Sequence, residues 1–571
     1  MKLIIREYLA LLKESKELDK LLPELLLMMG IEPISYPQIG SRQHGVDVAA
    51  VGPYDMQTSN NQNNIDDTLL LFTIKQGDIG RSDWFSNQQS ICPSLEEIKR
   101  LYLRNKIRSE HRDLKKKIIL CTSGEIKQEL DEDWSAYTEE NTVSGQLEYE
   151  FWGGDKLALL IERYMFNEHI LPTELRSSFR KVLALLADSD YDLSDYYHLL
   201  NQFLIQTDFG DFDKQSTTKK AKKALRTTHL LINIIFAWSK NQQNLKPALL
   251  AAERTLLITW EFLRKHDLFE KKSLFSIFAD INRTFIEVYF AYYRKIAPNC
   301  HIEQGLHGYG NHAIVENLNI FEQLGIISIT GLVTFDIWLL NQKDDDLEAI
   351  KIIAETLKAL INNHKATLSP CYDNHIIEIS TALYLLSCLN EMEFIEKWIS
   401  EMLHHIGVAY FHLGKYFPIE SDSFDDLIAL NIAGTIEKER LMRISTLIPI
   451  LAQWCCVLNL KEPYAQIVDI AENIFKNTTL QIWYPDEDTD KYLYIGNAAY
   501  ETGNSEAPIT IPASINDMQK MIDEVQERTI TAEDISACSY CPILTFVASR
   551  HYRIPLLPFY WQKNLPEFRS S

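Results

Sequence analysis

Cysteine is scarce, nine among 571 residues, and the nine are too unevenly placed for a disulfide framework. That pattern predicts reduced thiols in a cytoplasmic protein. Cys538 and Cys541 form one CxxC pair, but neither a second CxxC nor a nearby HxxxH completes four zinc ligands, so buried thiols are expected there. The opening stretch, MKLIIREYLALLKESKELDK, is interrupted by charge throughout and does not read as a secretory signal. Long apolar runs are also lacking. The run from Ile326 to Leu340 is broken by Asp336 and that from Leu447 to Leu460 is too short, so no membrane segment is expected. Basic residues are in deficit, 57 Lys and Arg against 79 Asp and Glu, for a net charge of -22. Spread evenly, that charge would repel a polyanion, so any nucleic-acid contact has to be local. Finally, there is no GxxxxGK[ST] phosphate loop, no GxSxG elbow and no HExxH zinc motif.

What is present is an ordinary soluble composition, 46% hydrophobic and 24% charged, in a chain too long for one core. Ten of the 21 glycines fall before residue 171, so turns are dense early and sparse later. The early part carries β-branched and aromatic runs bounded by turn residues, which predict strands at Val46–Val51, Thr68–Ile74, Lys117–Cys121 and Glu148–Trp152. Helices are predicted at Leu18–Met29, closed by Gly30, at Ser94–Lys115, and at Asp155–Met165 with Asp155 as N-cap. From about Leu175 onward, apolar residues recur every three or four positions, which predicts a large all-α region of helical hairpins of the solenoid kind. Two stretches interrupt it: the glycine-rich HIEQGLHGYGNH at His301–His312, where His307 and His312 read as loop residues, and Tyr484–Ser514. The expected organisation is therefore an α/β domain over 1–172 and a helical region over 173–571, divisible near 300–312.

The residues with chemical content lie in the first part: Gly45-Val46-Asp47, Thr73-Ile74-Lys75 closing the run LLLFTIK, Thr122-Ser123-Gly124, and YEFWGGDKLALLIERY. Alternate residues of a strand share a face, so Thr73 and Lys75 point the same way. A lysine ending so apolar a run needs a partner, and Asp47 is the candidate. These segments resemble the Mrr-type branch of the PD-(D/E)xK restriction-endonuclease-like superfamily over about residues 1–170. The matching features are a GxD strand, an acid-x-Lys strand, a strand ending in Thr-Ser-Gly, and a short strand leading into a helix. The resemblance implies a mixed central sheet flanked by helices and a Mg²⁺- or Mn²⁺-dependent deoxyribonuclease. Asp47 would hold the metal against the scissile phosphate, and Lys75 would steady the attacking water and the transition-state charge. Thr73 departs from the pattern, since a neutral hydroxyl stands where the motif has an acid; Glu24 or Asp78 would then supply the missing carboxylate. Gln76 reads as structural, and His44 as a loop residue within reach of phosphate.

DNA contact is expected from the basic run between Lys99 and Lys117, above all Lys99, Arg100, Arg104, Arg108 and Arg112. A second basic run spans Lys219 to Arg226; a solvated helix face is the plainer fate of both. By analogy with nuclease domains fused to large variable regions, the resemblance implies a prokaryotic restriction or phage-defence effector. Its helical region would sense a trigger, bind a protein partner or self-associate. The competing expectation is a catalytically decayed nuclease fold serving as a DNA- or protein-binding scaffold, which Thr73 favours.

Overall fold

The computed structural model describes residues 2–12, 17–35, 44–54, 66–86, 90–166, 173–188, 191–308, 312–496 and 502–562. The chain forms two compact units, one of Met1–Ala251 with Lys271–Ile277 and the other of Ala252–Glu270 with Phe278–Ser571.

In the first unit a five-stranded mixed sheet runs β1 (Glu32–Ser35), β2 (Val48–Pro53), β3 (Asp67–Lys75), β4 (Lys115–Thr122) and β5 (Leu147–Trp152). β1, β2 and β3 pair antiparallel, while β3, β4 and β5 pair parallel. The central strand is apolar on both faces because helices cover both. On one face Ala49, Leu69, Leu71, Ile118 and Leu120 pack with Trp84 of α3 (Arg81–Phe85), Leu95 of α4 (Ile91–Glu97) and Leu130 of α5 (Gln128–Asn141). On the other, Phe72 meets Trp152 edge-on, ring centroids 5.1 Å apart. That side carries α2 (Asp19–Met29) against β1 and β2, and α6 (Gly154–Tyr164) against β5 and α1 (Lys2–Leu11).

Four features differ from expectation. The predicted helix Ser94–Lys115 ends at Asn105 after a π-helical turn, Ile98–Tyr102, and Lys115 already belongs to β4. β1 escaped notice because EPIS is four residues with a proline and no alternation. α5 (QELDEDWSAYTEEN) escaped because Leu130 is its one fully buried residue; its early Glu129 and Asp131 suit the helix dipole instead. The first unit also runs past the expected boundary at 172. Helix Gln215–Asn241 is tied to it by Arg226–Glu24 at 2.7 Å, Lys240–Glu17 at 3.2 Å, and Thr227 Oγ1 donating to the Met165 carbonyl at 3.0 Å.

The second unit is largely helical. Its core helix, Ala313–Asn341, is the one described helix long and apolar enough to cross a membrane, but 72% of its most apolar window is buried inside the protein. It packs on Asp344–Asn363 and Ile376–Cys388. The expectation of an all-α region needs correction. Tyr484–Ser514 contains strand β8 (Asn504–Ile509), which joins β6 (Ile444–Ser445) and β7 (Thr479–Tyr484) in a three-stranded sheet. Of the glycine-rich segment, residues 309–311 lie outside the described residues; His307 pairs with Glu316 at 2.6 Å and His312 caps the core helix by accepting from Ile314 N–H. Cys541 is buried, which pushes its thiol up to about 12, and Cys538 Sγ lies 3.2 Å from the Tyr560 hydroxyl.

Candidate active site

At the C-terminal end of β3 the pairing Val48↔Phe72, continued by one step, sets Asp47 opposite Thr73. The Asp47 amide donates to the Phe72 carbonyl at 2.8 Å, and its carboxylate Oδ2 accepts the Ile74 N–H at 2.7 Å. The carboxylate is thereby fixed beside the residue that precedes Lys75. Gly45 has a structural reason of its own. Its φ is +79°, and a Cβ there would overlap the Ser94 carbonyl of α4, so only glycine lets the chain turn into Asp47 so near the helix.

Lys75, half-buried at the end of β3, pairs with Thr122 of β4. Thr73, two residues back on the same face, is only 2% exposed and stands beside Leu120. Lys75 thus lies at the C-terminal end of the central strand, while Thr73 is part of the core.

Thr122-Ser123-Gly124 acts on the loop that follows Lys75. Thr122 Oγ1 donates to the Gly77 carbonyl at 2.6 Å, and Gly77 N–H donates to Ser123 Oγ at 3.3 Å. A Cβ on Gly124 would overlap the Gly77–Asp78 backbone, so the two loops lie in direct contact. Asp78 is consumed in the same clamp, its Oδ1 accepting the Glu125 N–H at 3.0 Å.

Glu24, the other candidate acid, lies on α2 and binds the Arg226 Nε at 2.7 Å. Sequence reasoning missed Arg6 of α1. Arg6 donates to the Ser123 carbonyl (2.6 Å), Glu125 Oε1 (2.9 Å) and Asp155 Oδ1 (3.0 Å), tying α1 and α6 to the end of β4. Three separate segments meet there, and no spacing in the sequence announces it.

Among the described residues no group of three or more His, Cys, Asp or Glu side chains is gathered to hold a metal ion. Magnesium is commonly bound through one or two carboxylates, with waters and substrate phosphates completing its shell. Asp47 alone therefore fits an ion shared with a substrate and not one caged by the protein.

The expected DNA-binding cations are not equivalent. Lys99 donates to Asn141 of α5 and Arg100 pairs with Glu96 at 2.9 Å, so both serve the helical layer. Arg104 and Arg112 are exposed, and Arg108 lies 3.7 Å from Glu110. His44 Nδ1 sits 3.2 Å from Glu97 Oε1. In the second run, Lys222 is drawn down by burial and by its neighbours Arg226 and Lys219.

Compared with protein-family models, curated proteins and solved structures, the chain returns no match.

Proposed function

We propose that the first unit is a restriction-endonuclease-like nuclease domain that hydrolyses phosphodiester bonds of DNA, and that the helical unit regulates it as a trigger sensor, a partner-binding surface or a self-association element. The observation that supports this reading is the Ile74–Asp47 hydrogen bond, which holds a carboxylate at the strand end that carries Lys75. In that arrangement Asp47 would hold Mg²⁺ or Mn²⁺, and the ion would supply Lewis-acid stabilisation of the developing charge. Lys75 orients the nucleophilic water and offsets negative charge on the phosphoryl oxygens. The Thr122-Ser123-Gly124 clamp fixes the loop that follows Lys75. The role this implies is that of a restriction or phage-defence effector in the cytoplasm.

A buried Thr73 favours a second reading, in which the fold binds DNA or a protein without cutting it. Incubating the full chain with plasmid and linear DNA, with Mg²⁺, Mn²⁺ or EDTA, separates the two. Cutting that needs the cation, is abolished in Asp47→Ala and is slowed about a hundredfold or more in Lys75→Ala supports the nuclease. Folded Asp47→Ala and Lys75→Ala proteins that cut like the parent would overturn the assignment, and a parent that never cuts makes the scaffold the better reading.

A further inference from the structure

The basic run holds a feature that the proposed active site does not use. Where the helix ends at Asn105, the chain turns back through a 3₁₀ turn, Ser109–His111, and encloses a surface cavity of about 200 Å³ against the start of the sheet. Its lining includes Ser35 of β1, Leu69 of β3, Tyr102, Lys106, Arg108 and His111. Tyr102 belongs to the π-helical turn, a distortion that often marks functional positions. Its hydroxyl hydrogen-bonds Ser35, whose Oγ in turn accepts the Ala49 N–H at 3.0 Å, so the two hydroxyls are held in place by β1 and β2.

We propose that this cavity is a phosphate-binding site. Lys106 and Arg108 supply charge at its rim, His111 and the Tyr102 hydroxyl, oriented by the Ser35 hydroxyl that donates to it, supply donors within, and Leu69 forms an apolar floor. Among the described residues the carboxylate paired with these groups is Glu110, 3.7 Å from Arg108 and 3.4 Å from His111. Its side chain is 61% exposed, which leaves it room to turn into solvent and yield its place to a phosphoryl group. Lys106, by contrast, has no ion pair among the described residues, and Lys116 is withdrawn because its amine donates to the Leu114 carbonyl at 2.8 Å. The volume is below the roughly 300–1,000 Å³ of pockets that enclose a whole drug-sized ligand. The site therefore grips one phosphoryl group and part of its ester rather than an entire nucleotide.

Position distinguishes this site from the proposed catalytic one. Leu69 precedes Lys75 by six residues along β3, which at about 3.3 Å per residue is roughly 20 Å. That separation equals about six phosphates along one DNA strand. A backbone phosphate anchored here would fix the register of a duplex reaching Lys75, an extension that rests on the DNA reading. A free nucleotide monophosphate offers the same chemistry without DNA.

The test uses the full chain in EDTA, so that no cleavage occurs, and three probes: inorganic phosphate and AMP by calorimetry, and a fluorescein-labelled 20-base-pair duplex by anisotropy across a salt series. Lys106→Ala/Arg108→Ala should weaken binding of at least one probe about tenfold or more, with an unchanged melting temperature and circular dichroism. If the duplex is the ligand, the salt slope of its affinity should fall by about two. Loss confined to phosphate and AMP identifies a free phosphomonoester as the ligand, and loss confined to the duplex identifies the backbone. Tyr102→Phe should weaken the same probe less. A double variant that binds all three as the parent does, or a parent that binds none, overturns the site. Retained duplex and phosphate effects alongside failure of the Asp47 and Lys75 cleavage test would leave this site standing while the nuclease reading falls.

Discussion

At the residue scale, the chain shows how burial decides what an ionisable group can do. Thr73 and Lys75 share a face of β3, yet one is sealed in the core and the other, at the strand's C-terminal end, is only half-buried. Thr73→Ala should accordingly reduce any DNA cleavage much less than Lys75→Ala, because a buried hydroxyl contributes little as a ligand; a gel assay of the two variants side by side reads the difference. Asp336, in the core helix of the second unit, is lifted by burial to about 7. Between the ordinary aspartate range and that value the folded chain keeps a proton that the unfolded chain releases. Its contribution to stability is thus fully present below about pH 4 and is lost as pH rises through 7. Asp336→Asn should therefore stabilise the protein at pH 8 by about 2 kcal/mol, discounted because the side chain is only part-buried, and the gain should vanish toward pH 4. Denaturant melts of both proteins at the two pH values measure it.

At the element scale, two devices carry most of the consequence. The contact of Gly124 with the Gly77–Asp78 backbone locks the end of β4 to the loop after β3. Gly124→Ala should push that loop away, lowering stability by about 1–3 kcal/mol and cutting activity without touching Asp47 or Lys75. Denaturant unfolding read together with cleavage rates checks both. In the second unit, helix Ile543–Tyr552 is anchored by buried charge. Glu253, fully buried, pairs with Arg550 and lies 2.9 Å from His551 Nδ1, while Arg254 Nε donates to His551 Nε2 at 3.1 Å. The arginine fixes Nε2 as acceptor, so His551 is neutral with its proton on Nδ1, given to Glu253. Burial alone would push Glu253 upward, but Arg550, His551 and Tyr289 outweigh it and hold the carboxyl below its usual range. Glu253→Gln removes the nearer partner of Arg550 and leaves it Glu322 at 3.7 Å, so it should cost about 3 kcal/mol, read as an earlier unfolding transition.

At the scale of the whole molecule, the arrangement of units differs from the sequence expectation in a way that matters for dissection. A chain cut at 172 loses Arg226, Thr227 and Lys240, the partners of α2, of Met165 and of Glu17. Such a fragment should be less stable than one ending at 277, which retains helix Gln215–Asn241; thermal melts and gel filtration of the two compare them directly. What the sequence determined by itself is whatever one strand or helix encodes locally. Strands β2 to β5 of the first unit were legible because each is an apolar run closed by turn residues, which β1 is not, and the helical character of the second because apolar positions recur at the helical period. The candidate pair Asp47 and Lys75 was legible because each closes or opens such a run. Tertiary structure alone decided what depends on contacts between distant segments. Examples are the withdrawal of Glu24 by Arg226, the use of Asp78 and Glu125 in a loop clamp, and the meeting of Arg6 with Ser123 and Asp155. It also decided that strands β6, β7 and β8 form in a helical region, since such short strands are stable only when they pair. Periodicity records which side of an element is buried, and it carries no information about which other element covers it.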